Sequence, residues 1–307
     1  MADTQNEVFK TPVNKIRLFE HGAPGSQNLK LTRKYYTEDM PDGRVKHIVQ
    51  NITDPDIVPY MPDGIGNSTD RQRIPAVLII PGGAFRRLVY NFEGEDVAKW
   101  LNSMGIAAFV LECRLPSDEH DNAEDVPLID AMRAMRVIRG RAQEFGIDEA
   151  KIGVMGFSAG GFMAALLSTA YESDVYADYK YKDEYDKLSA RPDFAVCSYP
   201  VISIDDCIEA GKRYMSEEQV LERISDSKAK ILHKYNPDKL VRPDMPPVFI
   251  CETDDDRTTL SENSVGFYMA ARKAGVSAEL HIFRTGGHGY GCGDDFAQTG
   301  EWKVLFT

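Results

Sequence analysis

Gly156-Phe157-Ser158-Ala159-Gly160 sets a serine between two glycines, after the apolar run Lys151–Met155 and before the small-residue stretch Gly160–Ala170. When a strand turns this abruptly into a helix, side chains beside the serine would collide, so glycine is required there, and the hydroxyl is lifted clear of the sheet. The chemistry that suits such a hydroxyl is attack on a carbonyl. The Ala159 amide, at a helix N-terminus, would face the oxyanion that forms. A glycine turn that contains a serine by chance has the same five letters; the strand before it and the helix after it favour the catalytic reading.

A serine is a weak nucleophile by itself and needs a base, which in turn needs an orienting acid. Behind an elbow of this kind the chain order is nucleophile, acid, histidine. His281 and His288 stand late enough to qualify. His281 falls within the expected strand Ala278–Phe283, where it would point into a packed face and serve structure. His288 falls in Gly286-Gly287-His288-Gly289-Tyr290, a loop beyond that strand, and is the expected base. The acid should follow the strand Val248–Cys251, and Glu252-Thr253-Asp254-Asp255-Asp256 offers three aspartates that composition does not separate. Pro81-Gly82-Gly83-Ala84-Phe85 closes an earlier apolar strand, so the Gly83 amide is expected to complete an oxyanion hole with that of Ala159.

The elements that must position these groups are legible in the pattern. Ala76–Ile80 is an unbroken apolar run, as for a strand buried on both faces. Helix 95–103, strand 106–111, helix 128–142, strand 151–155 and helix 160–170 follow, then strands 194–198, 248–251 and 278–283 with helix 261–274 between the last two. This alternation predicts an α/β chain with a mainly parallel, doubly wound sheet, in one domain over 1–307. Ahead of it, turn-rich segments at 21–28, 41–43 and 62–69 punctuate short alternating runs such as Val45–Val49, expected as antiparallel strands at one sheet edge. Residues 203–242, with a charge-dense run from Asp205 to Glu218, interrupt the alternation and read as a small helical cap over the strand ends.

Composition excludes several classes. The 48 acidic residues against 36 basic ones leave a net charge of −12 without any basic run, which suits neither nucleic acid nor an anionic membrane. No apolar stretch reaches membrane-spanning length, and the first residues have no signal-peptide pattern, so a cytoplasmic location is expected. Five scattered cysteines without a CxxC pair argue against a disulfide framework or a zinc knuckle. Asp118, Glu119, His120 and Asp121 could ligate a metal, but nothing else in the chain completes a site, so no metal and no cofactor are expected. Tyr171, Tyr176, Tyr179, Tyr181 and Tyr185 crowd an insertion after the nucleophile helix and read more simply as surface or subunit contacts than as a sugar platform.

The segments PGGAF at 81–85, EGEDVAKWLNSMGIAAFVLECRL at 93–115, GFSAGG at 156–161, RPDFAVCSYPVIS at 191–203, ENSVGFYMAARKAGVSAELHIF at 262–283 and GGHGYG at 286–291 resemble the acetylxylan/feruloyl-type carbohydrate esterases of the α/β-hydrolase superfamily. The resemblance implies an α/β-hydrolase fold and a Ser-His-Asp mechanism that removes short acyl groups, acetyl first, from a carbohydrate or small alcohol. The partner it implies is a small-molecule or oligosaccharide ester. It also implies Asp255 as the acid, two residues after Thr253, although Thr258-Thr259 and Cys251-Glu252 depart from the family pattern on either side. Two alternatives are weighed against this: a prolyl-oligopeptidase-like peptidase, for which some 75 residues ahead of the first core strand cannot build a propeller, and a non-catalytic binding protein on the same fold, which would lack a member of the triad.

Overall fold

The computed structural model describes residues 9–10, 12–64, 73–213, 215–216, 218–220, 227–293 and 298–306. Part of the turn segment 62–69, and Glu217 of the charged run, lie outside the described residues. Eleven strands are formed among those described: β1 (Ile16–Arg17), β2 (Lys34–Asp39), β3 (Val45–Gln50), β4 (Asp56–Tyr60), β5 (Ile74–Ile80), β6 (Leu88–Val89), β7 (Ala107–Glu112), β8 (Ile147–Phe157), β9 (Ala195–Ser198), β10 (Val248–Thr253) and β11 (Ala278–Phe283). Eight of them make one sheet in the order β1-β4-β7-β5-β8-β9-β10-β11. From β7 to β11 all pairings are parallel; β4 and β1 run antiparallel at one edge.

The apolar runs become the middle of this sheet. All six residues of β7, the last five of β5 and all four of β9 are buried, as expected of strands covered on both faces. Helices α1 (Asp96–Ser103), α2 (Val126–Gly140), α3 (Ala142–Phe145) and α4 (Ala159–Ala170) supply the cover together with Ser261–Lys273. In α2, Leu128, Met132, Met135 and Ile138 are all fully buried, the stripe that the helical period implies. This is the α/β-hydrolase fold with its mainly parallel sheet.

One early strand goes elsewhere. Val45–Val49 was expected at the edge of the main sheet, but β3 pairs with β2 and β6 in a separate three-stranded sheet. The Pro41-Asp42-Gly43 turn closes the β2–β3 hairpin, with Gly43 at φ 85° and Met40 N–H donating to the Arg44 carbonyl at 2.8 Å. The tight turn pairs the strand with its sequence neighbour β2 over six residues.

Register brings the chemistry together. Ile80 lies beside Gly156, Phe157 beside Ser198, and Ser198 beside Cys251. The turns that follow β5, β8, β9 and β10 therefore leave the sheet at its C-terminal end, where ligands bind in open α/β sheets. The segment after β9 forms α5 (Ile204–Lys212) and the helix Ser227–Lys234. Lys234 and Tyr235 at the end of the latter both bond Asp125, at the start of α2, so the segment reaches from β9 across to the region following β7. No helix among the described residues is long and apolar enough to cross a membrane.

Candidate active site

The glycines of the elbow are dictated by contact. A Cβ on Gly156 would lie 1.9 Å from the Gly160 carbonyl oxygen, and one on Gly160 would lie 1.9 Å from that of Ile80. Ser158 itself sits at φ 53°, ψ −117°, a strained conformation for a residue with a side chain and one typical of functional turns. Its N–H is fixed by the Ser198 carbonyl at 3.0 Å.

His288, on the loop after β11, closes the arrangement. Its Nε2 lies 2.8 Å from Ser158 Oγ and its Nδ1 lies 2.6 Å from Asp256 Oδ2. The tautomer that satisfies both contacts carries its proton on Nδ1, leaving Nε2 to accept from the serine hydroxyl. Asp256 is 2% exposed. Its Oδ1 accepts the Thr258 and Thr259 N–H groups at 2.7 and 3.0 Å, and Oδ2 accepts the Thr259 hydroxyl at 2.9 Å. Burial pushes this carboxyl up, yet His288 and the threonine amides outweigh it and hold the group below the usual carboxylate value.

Asp255, the acid expected from the family pattern, does not reach the histidine. It is exposed, and its Oδ1 accepts the Gly287 N–H at 2.8 Å instead. The reason is the turn: Asp256 N–H bonds back to the Thr253 carbonyl at 3.3 Å, which carries the third aspartate inward and leaves Asp254 and Asp255 facing solvent. A signal for this existed. Of the three aspartates only Asp256 has threonines two and three positions on, the spacing at which a carboxylate caps its own downstream amides.

The two turns expected to carry an oxyanion hole have distinctive backbones. Gly83 (φ 137°), Ala84 (φ 56°) and Phe85 (φ 60°) form a strained turn after β5, and a Cβ on Gly83 would meet the Arg87 carbonyl oxygen at 2.0 Å. The Ala159 amide opens α4 and is one of the N–H groups that a helix leaves without an internal acceptor. A small apolar cavity of about 20 Å³ adjoins both turns, lined among others by Gly82, Phe85, Leu88, Leu115, Ala159 and Met163.

Other candidates resolve into structure. His281 pairs with Glu279 at 2.6 Å on the edge strand β11 and is half-buried there, not sunk in a packed face. His120 lies against Ser26 Oγ at 3.1 Å, and Asp118 accepts the Ile52 N–H at 3.2 Å; burial moves the former down to about 4 and the latter up to about 6. Among the described residues no group of three or more His, Cys, Asp or Glu side chains could hold a metal ion. Four described cysteines, Cys113, Cys197, Cys251 and Cys292, are buried and form no disulfide with one another. Three of the insertion's tyrosines are bolted to the body: Tyr171 to Asp244, Tyr176 to Arg136 of α2 and Tyr179 to the Gly22 carbonyl.

Comparison with known proteins points the same way. The BD-FAE family model matches residues 63–270. An acetylxylan esterase of Xylanibacter ruminicola is 31% identical over 223 residues, 72% of this chain and 42% of that protein. An endo-1,4-beta-xylanase B of Butyrivibrio fibrisolvens is 31% identical over 220 residues, 71% of this chain and 33% of that one. The chain thus spans less than half the length of these two relatives. Among solved structures, an acetyl ester-xyloside bifunctional hydrolase from Caldicellulosiruptor lactoaceticus shares 34% identity with a TM-score of 0.70, covering 95% of this chain and 93% of that one. A Lactobacillus plantarum carboxylesterase, at 21% identity and a TM-score of 0.64 over 91% and 95% of the two chains, shares the fold.

Proposed function

This chain belongs to the BD-FAE family of α/β-hydrolases, and from that premise we propose that it is a serine carboxylesterase that removes short acyl groups, acetyl foremost, from a carbohydrate or small alcohol. The observation that carries the reading is the continuous line of contacts Ser158–His288–Asp256. His288 takes the Ser158 proton as Oγ attacks the ester carbonyl, then returns a proton to the leaving alcohol. Asp256 holds the ring and stabilises its charged form. The Gly83 and Ala159 amides receive the oxyanion, each such donor being worth about 3 kcal/mol where it has been measured in other enzymes. Water, activated by the same histidine, releases the acyl group.

The acyl preference draws support from the small apolar cavity beside the Ala159 turn, lined by Phe85, Leu88, Leu115 and Met163. The carbohydrate alcohol draws support from the similarity to an acetylxylan esterase and to an endo-1,4-beta-xylanase. The segment 203–242, on the same end of the sheet as Ser158, is read as a cap that shapes the alcohol side.

Ser158→Ala should abolish ester turnover by about 10⁴-fold or more with the fold retained. With p-nitrophenyl esters, kcat/KM should be highest for acetyl, lower for butyryl and negligible for dodecanoyl, and acetylated xylo-oligosaccharides should release acetate. Phe85→Ala should improve the butyryl-to-acetyl ratio about tenfold, since each newly buried methylene contributes ~0.8 kcal/mol. A wild-type protein inactive on every ester, or a chain-length maximum at eight carbons or beyond, overturns the reading.

A further inference from the structure

Behind the nucleophile lies a carboxyl that the chemistry above does not use. Glu93 belongs to a five-residue π-turn, Asn91–Glu95, directly ahead of α1, and is 4% exposed. Such wide turns are uncommon and tend to mark functional regions. Glu93 Oε2 accepts the Gly82 N–H at 2.8 Å, and Oε1 accepts the Tyr199 hydroxyl at 2.9 Å. The Tyr199 oxygen in turn accepts the Gly291 N–H at 3.0 Å. The two amides at the ends of this chain belong to the two turns that carry the site: Gly82 precedes Gly83, and Gly291 follows His288 by three residues.

The packing around the chain leaves no slack. A Cβ on Gly82 would lie 2.5 Å from the Phe157 carbonyl oxygen, 2.7 Å from Glu93 Oε2 and 2.9 Å from Ser158 Cβ. The Tyr199 ring is fully buried and stands edge-on to His288 at 5.0 Å between centroids and to Tyr290 at 4.5 Å. Tyr199 is held at φ 37°, a left-handed conformation that costs energy in a residue with a bulky side chain. Burying a carboxyl is also expensive unless its oxygens are matched by donors. Two costs converge on one chain of hydrogen bonds, and its ends are the oxyanion turn and the histidine loop.

We propose that Glu93, acting through Tyr199, is a positioning residue that locks the oxyanion turn and the histidine loop to one another across the back of Ser158. Its effect on turnover rests on the esterase reading; the lock itself does not. Glu93 bonds the Gly82 N–H and the Tyr199 hydroxyl, not Ser158 or His288. It fixes the distance between the amide that receives the oxyanion and the imidazole that moves the proton, and small errors in that distance cost rate much more than affinity.

The test uses Glu93→Ala, Glu93→Gln and Tyr199→Phe in the full chain, with amide hydrogen exchange followed by NMR and steady-state kinetics on p-nitrophenyl acetate normalised to folded protein. Glu93→Ala and Tyr199→Phe should each speed exchange at both Gly82 and Gly291 by at least tenfold. Each should lower kcat 10- to 100-fold with KM within threefold of wild type, and the double variant should be no worse than the weaker single. Glu93→Gln keeps an acceptor for Gly82 and should recover part of kcat. If Glu93→Ala does not fold, Glu93→Gln and Tyr199→Phe carry the same comparison. Unchanged exchange at Gly291 in the Glu93 variants, or unchanged kcat, overturns the proposal. A wild-type protein without Ser158-dependent turnover would instead count against the esterase reading, and the coupled exchange would still decide whether the lock exists.

Discussion

Asp255 and Asp256 are adjacent, share a side chain and differ in everything around it. One faces solvent and receives a single amide; the other is buried and receives two amides, a hydroxyl and the His288 ring. Asp256→Asn should therefore cost about 10⁴ in kcat, as loss of the orienting acid does in serine hydrolases generally, while Asp255→Asn should stay within about fivefold of wild type. Reversal of that order in steady-state assays would return the acid to Asp255. Ser158 and His288 were legible because each sits in a glycine-flanked motif whose backbone demands are local. The choice within Asp254-Asp255-Asp256 was not, since it depends on how one turn closes after β10. Glu93 and Tyr199 were hidden for a related reason: nothing in the one-dimensional pattern says that a π-turn and a strand end point at each other.

At the scale of elements, the strand–helix alternation was readable because each core segment is apolar throughout or carries a helical stripe. Partners were less readable. Alternation in Val45–Val49 announces a strand, yet only the hairpin turn at Gly43 decides that β3 joins β2 and leaves the main sheet. The elbow shows how strictly a short element can constrain its residues. Gly160→Ala should lower stability by about 3 kcal/mol or more, beyond the usual cost of overpacking, because its new methyl meets the Ile80 carbonyl and not a yielding side chain; urea midpoints measure this. The segment after β7 makes a pH prediction. His120 is held down to about 4, so it favours the folded state above its unfolded value near 6.5 and loses that contribution as pH falls toward 4. Asp118 is held up to about 6, so it favours the folded state at low pH and loses that contribution as pH rises through 6. The two oppose each other between pH 4 and 6.5. Removing one, in His120→Gln, should make the fall in urea midpoint from pH 7.5 to pH 4.5 smaller than in wild type, and an equal fall would refute the assignment.

On the scale of the whole molecule, the sheet order places the site among strands far apart in the chain, and its far wall depends on the last helix described. Trp302 is fully buried, donates its Nε1–H to the Gly291 carbonyl at 3.1 Å, and meets Trp100 edge-on at 5.0 Å. Trp302→Ala should cost about 3–5 kcal/mol and lower kcat as well, by loosening the loop that carries His288; a stability loss with kcat per folded molecule intact would limit Trp302 to packing. The separation between partners has a temporal counterpart. Ser158 and His288 meet across 130 positions, and closing so long a loop is an entropic toll that local helices do not face. A chain diluted from denaturant should recover its circular-dichroism signal early, pass through a structured but inert interval, and regain ester hydrolysis only when β10 and β11 have docked. Turnover would then be the clock of the final folding event, reading a moment that the helices cannot see.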